Sequence, residues 1–152
     1  MTALVFIYGA LAGSAALLAQ VFFLLIFGEN VSLTYFTLAS LIGAALIEES
    51  SKLLFLVQIF KRFGTKTLVW HTLLSFGLGF SAFEICLSLL SQTYNPSILL
   101  LVLTNILLHL ITVFIIGFFL RSLSLSKTRF LLILLIVLTG LHTLFNFLRL
   151  QT

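Results

Sequence analysis

Five long apolar stretches make up this chain, and four of them carry ionisable or strongly hydrogen-bonding side chains near their middles. Glu48, Glu49 and Lys52 fall in the second, Glu84 in the third, His109 in the fourth, and His142 with Asn146 in the fifth. A helix crossing about 30 Å of hydrocarbon needs about 20 apolar residues, so each stretch has the length of a membrane crossing. Composition fixes the class. With 61% hydrophobic and 8% charged residues and a mean hydropathy of +1.29, a chain of 152 residues carries more apolar surface than a core of its size can hide. The excess must face lipid, where a chain has to satisfy its own backbone hydrogen bonds. The expected fold is all-α: a polytopic membrane protein, one domain over residues 1–152, with five transmembrane helices at about 3–27, 32–60, 67–91, 97–120 and 129–150.

The net charge of +4 does not describe a nucleic-acid platform, because the basic residues are neither spread over a surface nor interleaved with aromatics. Lys61, Arg62 and Lys66 follow the second stretch, and Arg121, Lys127 and Arg129 follow the fourth, which puts both groups on one side of the membrane. The positive-inside rule makes that side cytoplasmic. Only Arg149 counts the other way, and both termini are expected to be extracytoplasmic. The first stretch has no Lys or Arg before it and reads as a retained helix, not a cleaved signal. Cys86, the single cysteine, lies inside a membrane segment and reads as a packing residue, and His71 reads as interfacial. Small residues recur at helix-packing spacing in Gly9 and Gly13, Ala39 and Gly43, and Gly77 and Ser81.

At a rise of about 1.5 Å per residue, Glu84 lies about 10 Å from the outer end of its helix, His142 about 12 Å, His109 about 18 Å and Glu48 about 23 Å. Segments of alternating direction thus place their polar groups in one band, between mid-depth and the extracytoplasmic face. A carboxylate at mid-depth costs roughly 2.5 to 3.5 kcal/mol on insertion scales, whereas a polar bond between membrane helices returns only about 0.6 kcal/mol. A purely structural cluster is therefore a poor account of three glutamates. Lys52 can reach back to Glu48 or Glu49 and hold one of them ionised. Phe80, Ser81 and Ser88 flank Glu84 and are expected to give it an aromatic wall and hydroxyl partners. Asn105 lies one turn before His109 and could orient it. His142 and Asn146, one turn apart, project side by side, as two donors for a developing oxyanion would.

Taken in order, Glu48-Glu49-x-x-Lys52, Phe80-x-x-x-Glu84, His109-Leu110-Ile111-Thr112 with Gly117 following, and His142-x-x-x-Asn146 resemble the PrsW family of intramembrane proteases. The resemblance covers residues 48–146 and leaves the first helix outside it. That family is similar to a wider group containing the type II CAAX prenyl endopeptidases and the scaffold subunit of γ-secretase. The prenyl endopeptidases usually show Glu-Glu-x-x-x-Arg and Phe-x-x-x-His, where this chain has Lys52 and Glu84.

What the resemblance implies is an intramembrane endopeptidase of a prokaryotic cytoplasmic membrane. Its partner would be a single-pass membrane protein, for example an anti-sigma factor, cut near the extracytoplasmic side in a first-site cleavage. Glu48 would activate water, Glu49 held by Lys52 would orient it, and Glu84 would share the water or its proton. His142 and Asn146 would stabilise the oxyanion, and His109 would complete the set. A cofactor-free glutamate mechanism is the expectation. Zinc held by Glu48, Glu84, His109 and His142 is the alternative, which spacing does not decide. A non-catalytic scaffold and a proton-linked transporter are the rival functions. The transporter is disfavoured by the absence of inverted repeats and of proline inside any apolar stretch.

Overall fold

The computed structural model describes residues 2–27, 33–64, 70–91, 98–122 and 128–149. They form α1 (Thr2–Phe27), α2 (Leu33–Phe63), α3 (Trp70–Ser91), α4 (Ile98–Ser122) and α5 (Thr128–Arg149), with no strand among the described residues. The clearest departure from the expected boundaries is at the end of α2, where Lys61 and Arg62 continue the last helical turn instead of opening a loop. Gly64 stops the helix. Its φ of +82° suits a residue without Cβ, and its N–H donates to the Phe60 carbonyl at 2.9 Å, satisfying one of the terminal acceptors. Lys66, Pro96, Lys127 and the connections that carry them lie outside the described residues.

α1 lies between α2 and α3 and packs most extensively on α3, while α4 packs on α3 and α2, so these four helices close a ring. α5 rests on α2 and touches α4 at only a few positions. The α1/α3 crossing is close enough that a Cβ added to Gly9 would run into the Phe76 carbonyl, and one added to Gly79 into the Phe6 carbonyl. The Gly9 and Gly13 stripe is therefore spent on packing within the chain, with Gly13 against the Phe83 ring. Val5, Leu56, Ile59, Phe60, Phe76, Val113, Ile116 and Leu120 fill the bundle at the end where α2 and α4 finish. The polar residues fill the other half.

Four helical segments, Thr2–Ile26, Trp70–Leu90, Val102–Ser122 and Arg129–Arg149, are long and apolar enough to cross a membrane. α2 differs from them through Glu48, Glu49 and Lys52, but its outward residues Leu38, Ile42, Leu46 and Leu54 form an exposed apolar stripe while Glu49 and Lys52 are fully buried. The mid-helix charges of α2 face protein, and its outward apolar stripe suits lipid. Cys86 is exposed on α3, contrary to the packing role expected for it. His71 is exposed near the start of α3.

The beginning of α1 and the end of α5 lie at opposite ends of the bundle, where a shared side was expected for the termini. The Arg62 guanidinium donates to the Tyr8 hydroxyl at 3.1 Å, tying the beginning of α1 to the end of α2. α5 finishes with Arg149 at the other end, beside the polar residues.

Gly9→Ala and Gly79→Ala should each destabilise the purified protein by about 1 to 3 kcal/mol, the usual range for overpacking. Gly140→Ala, whose Cβ meets nothing within 4 Å, should not. Thermal denaturation in detergent micelles distinguishes them, and equal midpoints for all three variants would contradict the close crossing.

Candidate functional site

The site is built outward from one buried ion pair. Glu49 and Lys52 stand three residues apart in α2 and so share a face; Lys52 Nζ donates to Glu49 Oε1 at 2.6 Å, with both side chains 0% exposed. The same ammonium donates to Thr112 Oγ1 of α4 at 3.1 Å and lies 4.8 Å from the centre of the Phe80 ring of α3. Thr112 Oγ1 in turn donates to the His109 carbonyl at 3.2 Å. A bare ammonium here would cost several kcal/mol, and an anion, a hydroxyl and an aromatic face offset that cost.

Glu49 Oε1 has a second partner, His142 Nδ1 of α5, at 2.7 Å. Because this oxygen already accepts from Lys52, it is an acceptor for His142 too, which assigns the hydrogen to Nδ1. The ring then turns Nε2 towards Glu48, 3.3 Å from its Oε2. On the opposite wall His109 Nε2 meets Glu84 Oε2 at 2.6 Å. The His109 ring packs 4.9 Å from that of Phe80 and 5.5 Å from that of His142. Glu48 has its Oε1 tied to Gln20 Nε2 of α1 at 2.8 Å, while its Oε2 has no hydrogen-bond partner among the described residues.

These groups border a cavity of about 230 Å³, enough for several waters, whose wall includes Gln20, Glu48, Glu84, Asn105, His142 and Asn146 and runs out to Arg149, the last residue of α5. Of the six residues picked as chemical groups in the sequence, Glu48, Glu84, His142 and Asn146 line the cavity. Glu49 and His109 stand behind it and hold His142 and Glu84. Lys52 binds Glu49 and not Glu48.

Three expected details differ. Ser81 donates to its own helix at the Gly77 carbonyl, 2.9 Å away, and not to Glu84. Phe80 packs on His109 and Lys52 instead of walling Glu84. His109 is held by Glu84, while Asn105 contributes to the cavity wall.

Gln20 enters the site without having been picked from the sequence, and Thr112, named there only as part of the His109 motif, gains a role as partner of Lys52. Gln20 had a signal, as the only carboxamide in an otherwise apolar first helix. Thr112 had a weaker one, at three residues beyond His109.

Glu48, Glu84 and His109 each bring one potential metal ligand atom within 4.8 Å of the others, and the donor types suit zinc. The spacing does not. Two ligands at the usual ~2.0 to 2.1 Å from a tetrahedral zinc stand about 3.3 Å apart. Glu84 and His109 are instead hydrogen-bonded to each other at 2.6 Å. His142 Nδ1 is committed to Glu49, which leaves Nε2, facing Glu48, as its one available ligand atom. As placed, Glu84 and His109 are a proton-sharing pair too close together to be two ligands of one zinc.

Compared with protein-family models, curated proteins and solved structures, the chain matches none. The chemistry of the site must therefore be argued from its own residues.

Removing one partner of a buried ion pair leaves the other unpaired, at a typical cost of 3 to 5 kcal/mol. Lys52→Met and Glu49→Gln should each destabilise the protein by about that much, and the double variant by clearly less than the sum of the two. Equilibrium denaturation of the four proteins measures this, and strict additivity would show that the pair is not coupled.

Proposed function

We propose that this chain is an intramembrane peptidase of the PrsW type, hydrolysing a peptide bond of a membrane protein with water activated by glutamate. The observation that carries the reading is Glu48: a carboxylate only 12% exposed, with Oε1 tied to Gln20 and Oε2 facing His142 Nε2 at 3.3 Å, beside a polar cavity with room for several waters. A carboxylate, an imidazole and space for water thus meet at one point. A proton path across the membrane is disfavoured by the other half of the bundle, where Leu56, Phe60, Phe76, Ile116 and Leu120 are buried together.

In this reading a water in the cavity gives a proton to Glu48 Oε2 as its oxygen bonds to the carbonyl carbon of the peptide. Asn146, on the cavity wall, donates to the resulting oxyanion. His142 Nε2, beside Glu48, takes up that proton and delivers it to the leaving nitrogen as the C–N bond breaks, and Glu49 keeps the ring aligned. Glu84, held by His109, fixes the water from the opposite wall. The product is a new carboxyl terminus and a new amino terminus, with Glu48 returned to its starting state.

The orientation belongs to the same proposal. Lys61, Arg62, Arg121 and Arg129 cluster at the face shared with the beginning of α1, so that face is cytoplasmic and the N-terminal end with it. The cavity wall reaches Arg149 at the opposite end of the bundle, which supports cleavage towards the extracytoplasmic side of a prokaryotic cytoplasmic membrane. The substrate is a single-pass membrane protein.

Glu48→Gln should abolish cleavage of a co-reconstituted single-pass protein without loss of fold. Asn146→Ala should retain residual activity about 100- to 1000-fold below wild type. Turnover by purified protein in proteoliposomes measures both, and wild-type turnover by Glu48→Gln would remove Glu48 as the base. In a Cys86→Ser background, an impermeant thiol reagent applied to intact cells should label Thr152→Cys and spare Thr2→Cys; the reverse pattern would invert the orientation.

A further inference from the structure

We propose that Gln20 of α1 is a positioning residue for Glu48, so that the first helix, which lies outside the motif-bearing segment, completes the site. The inference rests on the reading of Glu48 as the base. Gln20 Nε2 donates to Glu48 Oε1 at 2.8 Å and reaches the Ala44 carbonyl of α2 at 3.4 Å, one turn before Glu48. The two amide hydrogens thus clamp the carboxamide between the backbone of α2 and the carboxylate that α2 presents. One oxygen of Glu48 is saturated and its torsion fixed. The other is left facing His142 Nε2 at 3.3 Å, with the cavity beside it.

A plain interhelical bond is the competing explanation, since polar side chains often join membrane helices. One observation counts against it: the α1/α2 contact already has its own close approach at this level, with the Phe23 ring against Gly43.

The test uses Gln20→Met, which keeps side-chain length and apolar packing but has no donor. On a co-reconstituted single-pass protein, kcat should fall about 10- to 100-fold, as for loss of one hydrogen bond to a charged group, with KM within about two-fold. The thermal midpoint should be unchanged. A second arm needs no substrate: dicyclohexylcarbodiimide labelling of Glu48, read by mass spectrometry relative to Glu84 in the same sample. Labelling of Glu48 should rise several-fold in the variant because Oε1 has then lost its donor and the side chain is no longer clamped.

Unchanged relative labelling overturns the positioning role whatever the activity, and so does a loss of kcat matched by a loss of thermal midpoint. Increased labelling in a protein whose wild type cuts no membrane protein sustains the positioning role and rejects the peptidase reading. Should Gln20→Met fail to fold, Gln20→Asn, too short to reach Glu48, is expected to show the same labelling rise, and wild-type labelling in it overturns the proposal.

Discussion

The fully buried pair between Lys52 and Glu49 is the constraint from which the rest of the site follows. A buried ion pair adds little net stability compared with well-packed apolar residues, because desolvation consumes most of the Coulombic gain. Its value here is directional. The ammonium draws Thr112 of α4 and Phe80 of α3 around it, and the carboxylate fixes His142 of α5, so one pair on α2 sets the positions of three other helices. α5 otherwise packs chiefly on α2, and the bond from His142 to Glu49 is where that contact acquires chemical register.

The bundle is divided by depth as much as by helix. At the end bearing Lys61 and Arg62 the interior is filled by aliphatic and aromatic side chains and closed by the glycine crossing of α1 on α3. At the other end the same helices border a cavity with room for several waters. A packed half supports a hollow half. A polar site needs its side chains held closely in place, and the packed half supplies that support from below.

Much of this was legible in the sequence, for physical reasons that also set the limit. Lipid demands helices about 20 residues long, so five apolar stretches fixed the number of helices, and polar residues inside them had to point inward. That reasoning located Glu48, Glu49, Glu84, His109, His142 and Asn146 and their common depth. It could not tell which carboxylate Lys52 holds, because spacings of three and four residues are equally reachable along a helix. It could not find the bond from Gln20 to Glu48, which depends on α1 packing beside α2 and not on any local pattern. Nor did it foresee that the hydroxyl of Ser81 would turn back onto its own helix, as hydroxyls in apolar surroundings commonly do. Nor did it show that the beginning of α1 would meet the end of α2, through Tyr8 and Arg62.

The three glutamates end in three different settings. Glu49 is held by an ammonium and an imidazole and is fully enclosed, so it is an anchor. Glu84 is paired through one oxygen with His109 and is 21% exposed at the cavity wall. Glu48 has one oxygen fixed by the neutral amide of Gln20 and the other turned to His142 Nε2. On the proposed reading this is why Glu48 is taken as the base: it alone combines a fixed position with both the cavity and an imidazole that can carry its proton onward.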